Sequence, residues 1–294
     1  MKRLIFLYFV GLLVVNRFCN YFLSDCHILF DFFLMLFYTM SSFRRRVIIR
    51  TVFVCDLDGT LLDENTNLHV KHKINELISS YPIVINTLRS PAGMLKELNA
   101  NYVKYPSIHF GGSLIYNTSL KKTLYYKSIS KKSFLRFISF CDIHKVSHRI
   151  IYVFKDGISS TLTTYEKGKS LKLEKGLSTS VLSIPFEKIP FAYPVAIYTK
   201  DYVNILEDIK CYKQKGINLY VSSEVDKGSA TLFLKKILDI DSLVAFGNSS
   251  DDFSMLDIAN YSFYVGNNSS KYRCIEMFEI PQLIMKWVDN DESL

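Results

Sequence analysis

The stretch VFVCDLDGTLLDE, residues 52–64, ends an apolar run on two carboxylates, Asp56 and Asp58, with Gly59 and Thr60 immediately behind. In an extended segment residues two apart point to the same side, so these carboxylates repel unless a cation lies between them. A hard ion such as Mg²⁺ prefers oxygen ligands and bridges carboxylates to a phosphate. Gly59 permits a sharp turn, and exposed amides beyond such a turn hold anions. A carboxylate nucleophile splits a slow hydrolysis into two faster steps. Mg²⁺ and a lysine stabilise charge on a transferring phosphoryl group. The competing reading is a chance acidic turn.

Positioning such a pair requires a strand that ends at the ligand edge of a sheet, which is where open α/β folds bind ligands. From residue 47 short apolar runs alternate with helical periodicity, the signature of a parallel sheet covered by helices. Strand VFVC leads through the acidic turn to NLHVKHKINELIS, in which Val70, Ile74, Leu77 and Ile78 share one helical face. Strand IVIN, residues 83–86, is followed by Thr87. Ser90 and Pro91 read as N-cap and first residue of a helix PAGMLKELN. SIHFGGSLIYN reads as another strand with a glycine turn. Between about 123 and 211 the texture changes to longer polar helices and alternating stretches, with a hairpin about Asp156 and Gly157. That is the texture of an inserted α+β module. The α/β rhythm then resumes with INLYV, GSATLFLKKIL, LVAF, DDFSMLDIA and SFYV. The domains expected are therefore core residues 47–122, an inserted module at 123–211, and core residues 212–294.

With 294 residues, 49% hydrophobic and 22% charged, the chain easily buries a large core. The formal charge of +8 suits an anionic partner, whether phosphate ester, nucleic acid or acidic lipid, and does not choose among them. Dispersed lysines favour a solvated surface, and no nucleic-acid-binding motif accompanies the aromatics. Cys19, Cys26, Cys55, Cys141, Cys211 and Cys274 form no CxxC pair, which argues against a zinc site or a secreted disulfide scaffold. A reducing, cytoplasmic compartment fits, with Cys55 as a small core residue. His69, His72, His109, His144 and His148 show no ligand spacing.

Residues 1–46 are set apart as an apolar N-terminal extension. LIFLYFVGLLVV is shorter than the ~20 apolar residues of a bilayer span, and ILFDFFLMLFYTM is broken by Asp31. One reading is a membrane-associated leader with Arg44, Arg45, Arg46 and Arg50 on the cytoplasmic side. The other, favoured here, is an upstream extension outside the working protein, which would begin near Met40.

Four separated stretches resemble the haloacid dehalogenase superfamily in its Cof-type sugar-phosphatase branch, over residues 50–270. DLDGT-L-L looks like the first motif, in which the first aspartate attacks phosphorus and the second protonates the leaving alkoxide, then activates water. Asp56 and Asp58 match those positions. Thr87 in VINTLRS corresponds to the hydroxyl that binds the phosphoryl group, and Lys227 in VDKGSA to the lysine that steadies nucleophile and phosphate. Taken alone, Thr87 reads equally as a strand-end cap and Lys227 as a solvated helix-start lysine. GGSLIYN resembles the Asn-Gly-Ala turn, and GNSSDDFSML the metal-binding Gly-Asp-x-x-Asn-Asp loop.

The resemblance implies a Rossmann-like core with a parallel sheet and an inserted α+β cap of the C2 type. It implies Mg²⁺-dependent hydrolysis of a small phosphorylated metabolite, best a sugar phosphate. Asp56, Asp58, Asn248 and Asp252 are the implied metal set. Thr87, Leu88, Arg89 and Asp251 are the implied phosphate or substrate contacts, with Asp56, Asp58 and Lys227 catalytic. The chain departs from the pattern where Asn248 replaces the leading Asp of the metal loop and Asp251 the usual Asn. Asp251 or Asp252 is expected to supply the missing charge, and a crippled site is the alternative. Leu88 stands where Gly is frequent, Gly111 where Asn is. Arg89 is either an anion contact or half of a surface ion pair. Two rival functions stay open, a degenerate phosphate-binding or regulatory module, and a mannosyl-3-phosphoglycerate- or sucrose-phosphate-like phosphatase. A membrane-tethered hydrolase of lipid-linked phosphate has only the N-terminal apolar runs behind it.

Overall fold

The computed structural model describes residues 51–63, 66–156, 159–166, 172–173, 192–204, 208–214, 216–267 and 269–291. The N-terminal extension, and both readings of it, lie outside the described residues.

Strand β1 (Thr51–Cys55) sits inside a five-stranded parallel sheet. Its neighbours are β2 (Ile83–Ile85) on one side and β12 (Ser242–Gly247) on the other, with β13 (Tyr261–Val265) and β14 (Arg273–Ile275) beyond β12. Both faces of β1 are covered, as a continuous Val/Phe/Cys run requires. Phe53 and Cys55 pack with Ile78 of α1 (Leu68–Ser80) and Ile284 of α6 (Ile280–Asp291). Val52 and Val54 pack with Leu234 of α4 (Lys227–Leu238) and Met255 of α5 (Phe253–Ile258). Fully burying each such side chain contributes about 1.5–3 kcal/mol, so the strand that ends at Asp56 is anchored over its whole length. Chain order reverses between β1 and β12, which makes their carboxyl ends a topological switch point.

Helix α1 starts as expected, with Asn67 capping Val70 N at 3.0 Å. Val70, however, is 37% exposed while Ile74, Leu77 and Ile78 are buried. It lies in the first turn, before the helix meets the core. Ser90 caps Gly93 N at 3.0 Å and Pro91 opens α2 (Pro91–Met94), but the helix is one turn long. Hydrogen bonding tightens there, with Glu97 N donating to Met94 O at 3.0 Å.

SIHFGGSLIYN forms two strands rather than one. β3 (Ser107–His109) and β4 (Leu114–Asn117) pair antiparallel across a tight turn, and β5 (Lys122–Tyr126) completes a three-stranded sheet. Gly112 is required in that turn, since its φ is +107° and a Cβ would stand 2.1 Å from Asp226 O.

A second, antiparallel sheet has the order β10-β11-β9-β6-β7-β8. It is built from β6 (His148–Asp156), β7 (Ser159–Glu166), β8 (Lys172–Leu173), β9 (Ala192–Thr199), β10 (Ile209–Gln214) and β11 (Ile217–Ser222). β6 and β7 form the expected hairpin, with Asp156 paired to Ser159, while Gly157 lies outside the described residues. One face packs on α3 (Lys131–Ile143) through Phe137 and Cys141 against Ile197 and Tyr220. The other packs Ile151, Ala196 and Leu219 on Phe110 and Leu114. INLYV was expected to resume the parallel core. It instead lies in this sheet as β11, antiparallel to both β9 and β10.

Candidate active site

The parallel register carries residues distant in sequence to one edge. Asp56 N donates to Phe246 O at 2.9 Å, so the last residue of the β1 run stands beside the end of β12. Asp226 caps α4, accepting from Ser229 N at 2.7 Å, and so fixes Lys227 as the first helical residue. Gly228 lets that helix lie against α5, since a Cβ there would meet Ser254 O at 2.2 Å.

Lys227 Nζ lies 2.6 Å from Asp56 Oδ1 and 2.6 Å from Asp252 Oδ1. The Lys227 and Asp252 side chains are 2% and 0% exposed, and Asp56 7%. Burial raises the Asp56 carboxyl, Lys227 opposes that, and the neighbouring Asp252 carboxylate adds to it. Burial alone would lower the Lys227 ammonium, but the two carboxylates outweigh it and the ammonium is raised. One cation thus faces two acids, leaving an excess negative charge on the Asp56 side. Asp252 Oδ2 accepts from Asn248 N at 2.9 Å, Ser249 N at 3.0 Å and Ser249 Oγ at 3.0 Å. Both oxygens of Asp252 are therefore engaged, and it does not stand among the residues of the cavity wall. Asp252, expected among the metal ligands, here holds the loop to Lys227.

Asp56 opens on a cavity of about 1010 Å³ that Asp58, Leu88, Arg89, Asn248 and Asp251 also line. Asp58 is half-exposed and gripped by Arg89 through two parallel contacts, Nη2 to Oδ1 at 2.7 Å and Nε to Oδ2 at 2.8 Å. Arg89 reaches Glu97 at 2.9 Å, and Glu97 reaches Lys71 at 2.5 Å. Arg89 is thus in the ion-pair arrangement rather than free for an anion. Thr87, expected to contact the phosphoryl group, is fully buried, with Oγ1 accepting from Arg89 N at 3.1 Å. It shapes the loop that presents Leu88 and Arg89 and does not line the cavity. Leu88 packs against the Phe110 cluster.

Asn248 Oδ1 accepts from Thr60 Oγ1 at 3.1 Å. Gly59 has φ +81°, and a Cβ there would lie 2.2 Å from Asn248 Nδ2, so the glycine of DLDGT is what allows the two loops to meet. Asp251 lines the cavity, and burial raises its carboxyl while Lys227 counters it. Asp251 and Asp252, adjacent in sequence, are separated by a single 3-10 turn (Ser250–Asp252) that sends one outward and the other inward.

Several site residues carry no sequence signal. His109 is buried and pushed down to about 3 by burial. Its Nδ1–H donates to Arg89 O at 3.1 Å and its Nε2 pairs with Ser107 Oγ at 2.7 Å, so a neutral imidazole buttresses the Arg89 loop. Arg149, Tyr198 and Lys213 reach the cavity from the antiparallel sheet. Strand alternation puts Arg149 and its pair Tyr198 on one face and Lys213, paired with Asn218, on the other, but cannot say what either face meets.

A family model described as haloacid dehalogenase-like hydrolase matches residues 53–275. No curated protein matches the sequence. Among solved structures, a haloacid dehalogenase-like hydrolase from Bacteroides thetaiotaomicron is similar at 15% identity and TM-score 0.57, over 81% of this chain and 99% of that one. A protein of Thermotoga maritima is similar at 18% identity and TM-score 0.57, over 81% and 97%. A sugar phosphatase of haloacid dehalogenase subclass IIB is similar at 13% identity and TM-score 0.55, over 81% and 98%. The Rossmann-like core with a second α+β layer is the fold these structures share, and the resemblance read from the four motifs is borne out.

Proposed function

The chain belongs to the haloacid dehalogenase-like hydrolases, and on that premise we propose that it is a Mg²⁺-dependent phosphomonoester hydrolase acting through an aspartyl-phosphate at Asp56. The observation that carries this reading is Lys227 held 2.6 Å from a buried Asp56 on the floor of the cavity. Asp56 Oδ1 accepts from Lys227, which leaves Oδ2 to attack phosphorus. The phosphoryl group passes to Oδ2 as the ester P–O bond breaks, and Asp58, once released from Arg89 and protonated from solvent, gives its proton to the leaving alkoxide. Water then attacks the same phosphorus, Asp58 takes the water's proton, and phosphate leaves with Asp56 restored. Lys227 balances the charge in both steps. Asp58 must leave Arg89 to act. Asp252 positions Lys227 and the Asn248 loop, and Thr87 and His109 position the Leu88–Arg89 segment.

Among the described residues no group of three His, Cys, Asp or Glu is disposed to hold a metal ion. The donors that do line the cavity, Asp56, Asp58, Asn248 and Asp251, are all oxygen. They fit Mg²⁺, which keeps several waters and needs only one or two carboxylates, and the excess negative charge at Asp56 favours it. Asp56 and Asn248 would hold the ion, with Asp251 supplying the charge that Asn248 lacks; when bound it neutralises phosphoryl oxygens.

We read the module expected at residues 123–211 as a cap that covers the cavity and excludes water; the cavity contacts of Arg149, Tyr198 and Lys213 support this, and its sheet supports extending it to residue 222. A sugar phosphate is supported as substrate by likeness to the sugar phosphatase above. A cytoplasmic location is supported by the free thiols of Cys55, Cys141, Cys211 and Cys274. The described residues include no helix long and apolar enough to cross a membrane. Asn248 favours a second reading, a phosphate-binding module without turnover.

Phosphate release across phosphorylated metabolites, with Mg²⁺ and with chelator, separates the two. Turnover that chelator abolishes is expected. Asn248→Asp restores a charged ligand and is expected to tighten Mg²⁺ binding by roughly tenfold in calorimetric titration. Unchanged Mg²⁺ affinity would show that residue 248 does not touch the ion, and turnover only in the variant would establish the module reading.

A further inference from the structure

We propose that the cavity contains a second anion subsite, formed by Arg149 on the Tyr198 ring with Lys213, on the Tyr202 ring, lining the same cavity, and that the substrate is a phosphomonoester whose leaving group bears a second negative group. The proposal rests on the hydrolase reading above and names the substrate class for it. Around Asp56 the cations Lys227, Arg89 and Lys71 are all taken up by carboxylates. Lys227 pairs with Asp56, Arg89 with Asp58 and Glu97, and Lys71 with Glu97. The two cations from the antiparallel sheet differ. Arg149 and Lys213 line the same cavity, both are exposed, and neither has a carboxylate partner among the described residues.

Each is held by an aromatic face instead. Arg149 Cζ lies 4.8 Å from the Tyr198 ring centroid, and Lys213 Nζ 4.4 Å from that of Tyr202. Arg149 and Tyr198 are directly paired on β6 and β9, so the stack is set by strand register. Stacking fixes the plane of a guanidinium and leaves its in-plane donors for a carboxylate or phosphate. A cavity of about 1010 Å³ also has room for far more than a phosphoryl group. With phosphorus at Asp56, the rest of a longer substrate shares the cavity with Arg149 and Lys213.

Glycerol 1-phosphate, 3-phosphoglycerate and glycerol 1,3-bisphosphate share a three-carbon frame and differ at the far end, which is neutral, a carboxylate or a phosphate. Calorimetric titration of each into Asp56→Asn protein with Mg²⁺ measures binding without turnover. The two compounds with an anionic far end are expected to bind about tenfold tighter than glycerol 1-phosphate at low salt. Arg149→Ala combined with Lys213→Ala is expected to bring the ratio to about one. Equal affinities, a ratio that survives in the double variant, or no binding of any of the three overturns the subsite. Phosphate release by wild type from the same compounds is followed in parallel. Discrimination without release overturns the hydrolase reading and leaves the subsite, and release without discrimination overturns the subsite alone.

Discussion

Lys227→Ala loses about 3–5 kcal/mol of folding stability at neutral pH, because it leaves two buried carboxylates facing each other without their cation. Both Asp56 and Asp252 contact the ammonium at 2.6 Å, and Asp252 is fully buried. Denaturant midpoints of wild type and variant measure the loss. Lys227→Met keeps most of the packing volume and separates the charge effect from a cavity. Turnover falls by roughly 10³-fold, the scale of removing one preorganised charge stabiliser. The surviving rate has a distinct pH dependence. Lys227 is the main influence that lowers the Asp56 carboxyl against burial, so without it the nucleophile stays protonated to higher pH. Residual activity in the variant therefore climbs with pH across a range where wild type has levelled off. A variant as stable as wild type, with an unchanged pH profile, would mean that the Lys227 contacts to the two acids are not energetic.

Asp56→Asn, at the other end of the same contact, behaves oppositely in stability and more severely in activity. The rate falls by about 10⁴–10⁶, as when a covalent nucleophile is removed. Stability holds or improves. Asparagine has nearly the same shape, Lys227 retains Asp252, and a buried charge disappears. The pH dependence follows from the direction of the shift. Burial raises Asp56 from its ordinary range to about 7 in the folded state. A carboxyl raised on folding contributes stability that is full below its unfolded pKa and is lost as pH rises through the folded one. In metal-free protein, then, wild type weakens relative to Asp56→Asn between about pH 4 and 7, and the gap is constant above that. Equal stability curves at all pH would show that Asp56 is not buried against Lys227.

The centre of this site was legible because the chemistry and the local fold share residues. An apolar run that ends on Asp56 and Asp58 is both a buried strand and a carboxylate pair, and Gly59 marks the turn for either reason. Ser90 and Pro91 likewise name a helix start from two side chains alone. What was not legible depends on which way a short loop turns. Asp251 and Asp252 differ by one residue, and a single 3-10 turn decides that Asp252 faces Lys227 and Asp251 the cavity. Thr87 has the right place after β2 but its hydroxyl is turned to Arg89 N. Arg89 itself is claimed by Asp58 and Glu97, a pairing across separate elements that no spacing encodes. Ile217–Ser222 has the same apolar alternation as a core strand, and only its partners Thr199 and Tyr212 show that it belongs to the antiparallel sheet. Arg149 and Lys213 were invisible for the same reason, since a cation on a strand reports a face and not what lies opposite.

All of the chemistry proposed depends on Asp56 accepting phosphorus. Beryllium fluoride with Mg²⁺ mimics the phosphoryl group on an aspartate, and a crystal structure of the treated wild-type protein reads the outcome directly. A tetrahedral adduct bonded to Asp56 Oδ2, with Lys227 still on Oδ1, is the expected result. An unmodified Asp56, or an adduct on Asp58 or Asp251 in its place, would contradict it.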